Sequence, residues 1–162
     1  MTIRPFATAD LEAVATLHAI SRRHAYADLL PADALARVTP EAMLEEWRSL
    51  LAKNPNRRLI VSEESGRLLG FCMTTLHREQ AELNAIHVHP EHHGSGTATA
   101  LHDEILAIMR SAGCGSAHLW VLEGNERAQA FYRRNGWTFD GTRDSHAIGG
   151  ADADILRYAR TL

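Results

Sequence analysis

Residues 81–123 constrain the fold more than any other part of the chain. AELNAIHVH (81–89) alternates apolar and polar side chains and is stopped by Pro90, a strand reading followed by a turn through His93, Gly94, Ser95 and Gly96. From Thr97 to Ala112, Leu101, Ile105, Ile108 and Ala112 recur at helical spacing, with His102, Asp103 and Arg110 expected toward water. Gly113 and Gly115 end that helix, and AHLWVLE (117–123) is the next strand. A strand, a helix and a strand in this order predict a parallel pair joined by a right-handed crossover.

The preceding segments point the other way. RLIVSE (58–63), RLLGFCMTTLH (67–77) and the strand at 81 follow one another through short turns, which predicts antiparallel pairing. Ile3–Phe6 reads as a short strand, and Thr8 or Asp10 as the cap of a helix carrying Leu11, Val14 and Leu17. AYADLLP (25–31) interrupts that helix. Thr39 and Pro40 open another, with Met43, Trp47, Leu50 and Leu51 on one face. Asn125–Asn135 reads as a helix stopped by Gly136, and 137–143 and 153–160 as two strands paired across Gly149 and Gly150. The expected fold is a mixed α/β domain over residues 1–162, with a twisted, mostly antiparallel sheet of about six to seven strands and helices on both faces.

Composition narrows the function. A formal charge of −3 and scattered basic residues argue against nucleic acid as a partner. No apolar stretch approaches the roughly 20 residues of a membrane span, and MTIRPFATAD lacks the apolar core of a signal peptide. Two cysteines, Cys72 and Cys114, sit in no metal or redox spacing, so a cytoplasmic setting is expected.

The glycine turn is the chemical clue. The first amides of a helix have no intrahelical acceptor and carry about half a positive charge, so a phosphate or diphosphate suits the start of the helix at Thr97. No Gly-Lys-Ser or Gly-Lys-Thr follows, which excludes a P-loop, and Thr99 stands where a dinucleotide fingerprint needs its third glycine.

ELNAIHVHPEHHGSGTATALHDEI (82–105) resembles the acetyl-CoA-binding motif of the GNAT N-acetyltransferase superfamily, with His93-Gly94-Ser95-Gly96-Thr97-Ala98 at its [RQ]-x-x-G-x-[GA] turn. LWVLEGNERAQAFYRRNGWTFDG (119–141) is similar to the second core motif of that family, through Asn125, Ala128, Phe131, Tyr132 and Gly136. The resemblance implies that Gly94 to Thr99 hold the diphosphate of acetyl-CoA. It also implies that the pantetheine lies between the strands at 81 and 117, along Ile86, His87 and Val88, and meets Asn125, Ala128 and Phe131. His93 replaces the usual Arg or Gln, and protonated His93, with His92, is expected to add charge there.

Acetyl transfer needs an amine freed of its proton and a protonated leaving thiolate. Glu82 is the candidate base, with His87 a minor rival, because partial burial makes a carboxylate a better proton acceptor. Tyr132 is the candidate acid, since a phenol of pKa about 10 can protonate a thiolate of pKa about 8.5. The Val88 N–H is placed to steady the oxyanion. Tyr26, Trp120 and Glu123 are candidate acceptor-site residues.

HVHPEHH holds four histidines, but at no diagnostic metal spacing, so no metal is expected. The expected reaction is direct transfer to a primary amine of a small molecule, such as a polyamine or amino-sugar antibiotic. A protein N-terminus or lysine, or a non-catalytic acyl-CoA sensor, are the alternatives. Family habit allows a homodimer through an edge strand near the C-terminus.

Overall fold

A computed structural model describes all 162 residues. In chain order the elements are β1 (Thr2–Pro5), α1 (Leu11–Ala25), α2 (Ala32–Ala36), α3 (Pro40–Lys53), β2 (Arg57–Glu64), β3 (Arg67–His77), β4 (Gln80–Val88), α4 (Thr97–Ser111), β5 (Ser116–Leu122), α5 (Glu126–Arg134), β6 (Thr138–Ile148) and β7 (Ala151–Thr161). The seven strands form one sheet in the order β1-β2-β3-β4-β5-β7-β6. Every neighbouring pair is antiparallel except β4 and β5, whose parallel pairing is the one the strand-helix-strand order predicts.

Two apolar layers cover the sheet. On one face Leu101, Ile105 and Met109 of α4 pack with Cys72, Leu83, Leu119 and Tyr158 of the strands. On the other, Val14 and Leu17 of α1 and Met43 and Trp47 of α3 pack on Val61, Phe71 and Met73. The α3 helix begins as predicted, with Thr39 accepting the Ala42 N–H at 3.1 Å and Pro40 at the first helical position.

The structure corrects three local expectations. The buried stripe of α4 runs through Leu101, His102, Ile105, Leu106 and Met109, so Ile108 is only half-buried and Ala112 is exposed. His102 faces inward, not toward water, because its Nε2 accepts the Trp137 indole N–H at 2.9 Å. The polar run Asp144–His146 continues β6 to Ile148, which is possible because β6 is the sheet edge and only one side must pair. The short helix α2, which had no apolar periodicity to announce it, follows Leu30.

A bulge in β4 matters most for the site. Leu83 faces Thr74 of β3 and Ala85 faces Met73, so Asn84 is the extra residue. It shifts the alternation by one. Ala81 and Leu83 before it, and Ile86 and Val88 after it, face α4, while Ala85 and His87 turn toward α1.

Candidate functional site

The parallel pair is short. β4 and β5 are in register only from Gln80 opposite Ser116 to Leu83 opposite Leu119, and beyond the bulge the two strands part. His89 donates its N–H to Leu69 of the β3 side at 2.8 Å, so the alternation of an antiparallel ladder turns the N–H groups of Ile86 and Val88 the other way, into the gap. The expected partner strand is missing there, and the gap offers a row of peptide groups to an extended ligand. A cavity of about 1060 Å³ passes through it, lined by Ile86 and Val88 and reaching both faces of the sheet.

The turn before α4 closes one mouth of this cavity. Gly94 and Gly96 have φ of +80° and +87°, the left-handed region, and a Cβ at either would meet nothing within 4 Å. Their glycine character is therefore conformational and not a matter of space. The N–H groups of Gly94, Gly96, Ala98 and Thr99 have no acceptor in the protein. Thr97 N–H has only a long contact of 3.4 Å to Ser95 Oγ. Ser95 Oγ donates to the His92 carbonyl at 2.6 Å, and the Thr97 side chain is buried, so these two side chains brace the turn and only their neighbours face the cavity. Unpaired amides at the head of a fifteen-residue helix make an anion site.

His93 does not supply charge to it. Burial and the neighbouring Arg127 hold the His93 imidazole below its ordinary pKa, and its Nε2 lies 3.2 Å from the Val88 carbonyl. A guanidinium does stand beside the turn, that of Arg127 in the first turn of α5, whose Nη1 meets His93 Nδ1. The sequence reading missed it, although its place two residues after the helix-capping Asn125 was a usable signal. Asn125 caps α5 by accepting the Ala128 N–H at 3.2 Å, and Asn125, Ala128 and Phe131 all line the cavity.

Glu82 and Tyr132 open onto the same cavity. Glu82 precedes the bulge on the α1 side, keeps 30% of its side chain exposed, and has His118 Nε2 3.9 Å away. Tyr132 is buried among Phe131, Trp137 and Tyr158, with no protein partner for its hydroxyl. Burial pushes its phenol well above the usual range, so it stays protonated at neutral pH.

His87 departs from expectation. Its N–H faces β3 rather than the gap, and its Nδ1 lies 2.9 Å from Ser21 Oγ of α1. Burial and Arg22 hold its pKa down at about 3, and while its side chain lines the cavity, its backbone N–H does not join those of Ile86 and Val88. His18 packs on it at 4.5 Å between ring centres and accepts the Trp47 indole N–H at 3.1 Å.

Of the acceptor-site candidates, Tyr26 and Trp120 line the cavity, the latter under the Arg157 guanidinium at 5.9 Å. Glu123 does not. Its carboxylate is taken up by Arg143 at the surface, and the side chain lies outside the cavity wall. The lining residues that sequence reasoning overlooked here are Ser21, Arg22, Glu46, Arg57 and Asn84, which come together only when α1 and α3 fold onto the sheet.

Comparison with known proteins identifies the family and the fold. Residues 22–137 match the Acetyltransferase (GNAT) family. An uncharacterized N-acetyltransferase of Mycobacterium tuberculosis is 33% identical over 91 residues, 56% of this chain. The chain spans 58% of the length of that relative. Among solved structures, the PaiA N-acetyltransferase from Thermoplasma acidophilum in complex with coenzyme A superposes with a TM-score of 0.76 at 22% identity, covering 100% of both chains. The ribosomal-protein-S18-alanine N-acetyltransferase from Escherichia coli gives a TM-score of 0.73 at 20% identity, over 99% of this chain and 92% of that one. No helix is long and apolar enough to cross a membrane.

Proposed function

The chain belongs to the GNAT acetyltransferase family, and on that premise we propose that it moves the acetyl group of acetyl-CoA to a primary amine of a small molecule by direct attack. The observation that carries this reading is the meeting of two unfilled sets of peptide donors in one cavity, those of Gly94, Gly96, Ala98 and Thr99 and those of Ile86 and Val88. The first set, with Arg127, fits the diphosphate of coenzyme A. The second fits its pantetheine amides as an added strand would. The bound coenzyme of the Thermoplasma protein supports the same assignment.

The side chains then divide the proton work. Glu82 takes a proton from the acceptor ammonium, directly or through water, leaving a nitrogen lone pair to attack the thioester carbon. The Val88 N–H stabilises the oxyanion as the C–N bond forms. The C–S bond breaks as Tyr132 gives its proton to the departing thiolate; the nitrogen of the adduct loses its second proton to solvent to become the neutral amide, and the phenolate recovers a proton from solvent. Cys72 is buried and Cys114 lies away from the cavity wall, so neither is placed to carry an acyl group.

A polypeptide N-terminus is the rival acceptor, because the E. coli neighbour is named for an alanine of a ribosomal protein. The test is calorimetry with acetyl-CoA followed by thiol release with an amine panel. Binding plus thiol release with free amines supports the proposal, and release only with peptides selects the rival. No binding removes the assignment altogether. The Glu82→Gln variant is expected to lose activity that returns in part at high pH, where free amine no longer needs a base; an unaltered pH-rate profile excludes Glu82.

A further inference from the structure

The half of the cavity beneath α1 and α3 holds a charge pattern that the transfer reaction by itself does not require. Its charged lining residues are Arg22, Glu46, Arg57, Glu82 and Asp144. Arg22 reaches Met43 Sδ at 3.7 Å and Glu46 at 3.5 Å, both through Nη1, and Glu46 is half exposed. Arg57 donates through Nη1 to the Leu50 carbonyl. The Nε of each guanidinium is buried with no partner. Residues 46 and 50 are one turn apart on α3, so the two guanidiniums flank a stretch of roughly 6 Å along the same wall.

A guanidinium Nε buried without a partner is costly unless a ligand completes it; Arg57 otherwise has only the Leu50 carbonyl, and Arg22 only the half-exposed Glu46 and the Met43 sulfur. The sheet register sets the opposite end of the lobe. Arg57 lies opposite Thr75, and Thr75 opposite Glu82, which places Arg57 and Glu82 in one row two strands apart, about 10 Å between backbones. A ligand between them meets cations at one end and a carboxylate at the other. Polyamines and amino sugars, which bring several positive charges and no anion, leave the arginine end unsatisfied.

We propose that the acceptor is an amino-carboxylate, its carboxylate gripped by Arg22 and Arg57 while its amine is presented to Glu82. This rests on the acetyltransferase reading and narrows it. Planar, forked guanidinium donors match a carboxylate in two-point contact, which a lysine could not reproduce.

Thiol release from acetyl-CoA, measured on the whole chain with matched acceptors, tests it. Amino acids are paired with their decarboxylated amines, beside spermidine and an aminoglycoside. The amino acids are expected to exceed their decarboxylated partners by roughly tenfold to hundredfold in kcat/KM, the effect of losing charge-assisted bonds. Arg22→Gln and Arg57→Gln should erase most of that preference through the acceptor KM, while calorimetric affinity for acetyl-CoA stays within about twofold. Should either variant fail to bind acetyl-CoA, the preference of the wild-type chain decides alone. Equal or better turnover of decarboxylated amines, spermidine or the aminoglycoside overturns the inference and leaves the acetyltransferase reading standing. Absence of thiol release with every amine overturns both.

Discussion

The two halves of the cavity are made of different material. Toward α4 and α5 the wall is backbone: the free amides of Gly94, Gly96, Ala98 and Thr99, and the N–H groups of Ile86 and Val88. Toward α1 and α3 it is side chain: Arg22, Tyr26, Trp47, Arg57 and His87. Backbone donors do not depend on residue identity, so the first half should tolerate His93 where the family motif has Arg or Gln. Side-chain donors set specificity one residue at a time, so on the proposed reading the second half would select the acceptor. A bound ligand whose chemistry never varies can be held by peptide groups; one that differs from protein to protein cannot.

Tyr132, at the junction of the halves, gives the largest effect. Tyr132→Phe keeps the packing on Trp137 and Tyr158 and removes only the proton, so kcat should fall by roughly a hundredfold to a thousandfold with acetyl-CoA affinity unchanged. Turnover equal to wild type would make the tyrosine a wall residue. Because burial raises its pKa, this proton is not lost on the alkaline side of neutrality, and a decline in rate between pH 7 and 9 would have to come from another group.

The side-chain half also makes the fold sensitive to acid. Burial, and to a lesser degree Arg22, hold the His87 imidazole down at about 3, against about 6.5 for a free imidazole, so between those pH values the unfolded chain is expected to bind a proton that the folded chain refuses. This contribution to stability should be present in full above about pH 6.5 and should fall as the pH drops toward 3, with an expected loss of about 2 kcal/mol at pH 5. His18, also buried and pushed down, adds in the same direction. Urea midpoints at pH 7.5 and 5 measure the slope, and His87→Asn should flatten it; an unchanged slope assigns the acid sensitivity elsewhere.

The backbone half breaks through conformation. Gly96→Leu forces a branched side chain into φ of +87°, at a cost of about 1–2 kcal/mol that the turn can escape only by reshaping its amides. The acetyl-CoA dissociation constant should rise roughly tenfold, with kcat at saturation nearly kept. A variant with reduced kcat and unaltered affinity would move the turn out of the coenzyme site.

The same division explains what could be read from the sequence. The turn, the Thr39 and Asn125 caps and the strand-helix-strand unit are local patterns, each written in consecutive residues, and they appear where expected, whereas Asp10 caps no helix with its side chain because Arg4 and the Ala7 N–H take its carboxylate. Failures occurred where a partner from afar decided the outcome. His102 looked like a surface residue until Trp137, 35 positions away, claimed its Nε2. Glu123 looked available until Arg143 took its carboxylate. Arg22 and Arg57 are ordinary basic residues in the sequence, and only α3 brings them to one wall. The bulge at Asn84, which puts Ile86 and Val88 on the face of Ala81 and Leu83, shows in AELNAIHVH only as the adjacent apolar pair Ala85 and Ile86, where the alternation changes phase.

The smallest effect is the sharpest test of the backbone claim. His93→Gln restores an amide of the kind the family uses, yet the histidine it replaces is held neutral and contributes no charge at pH 7.5. The acetyl-CoA dissociation constant should therefore change by no more than about threefold. Arg127→Gln removes the only guanidinium against the turn residue His93, and should weaken acetyl-CoA binding roughly fivefold, less so at high salt where the charge is already screened. If His93→Gln proves the more damaging of the two, the imidazole and not the peptide chain is gripping the diphosphate. Equal, salt-independent losses would instead trace both effects to the contact between His93 and Arg127, with the histidine acting only to position the arginine.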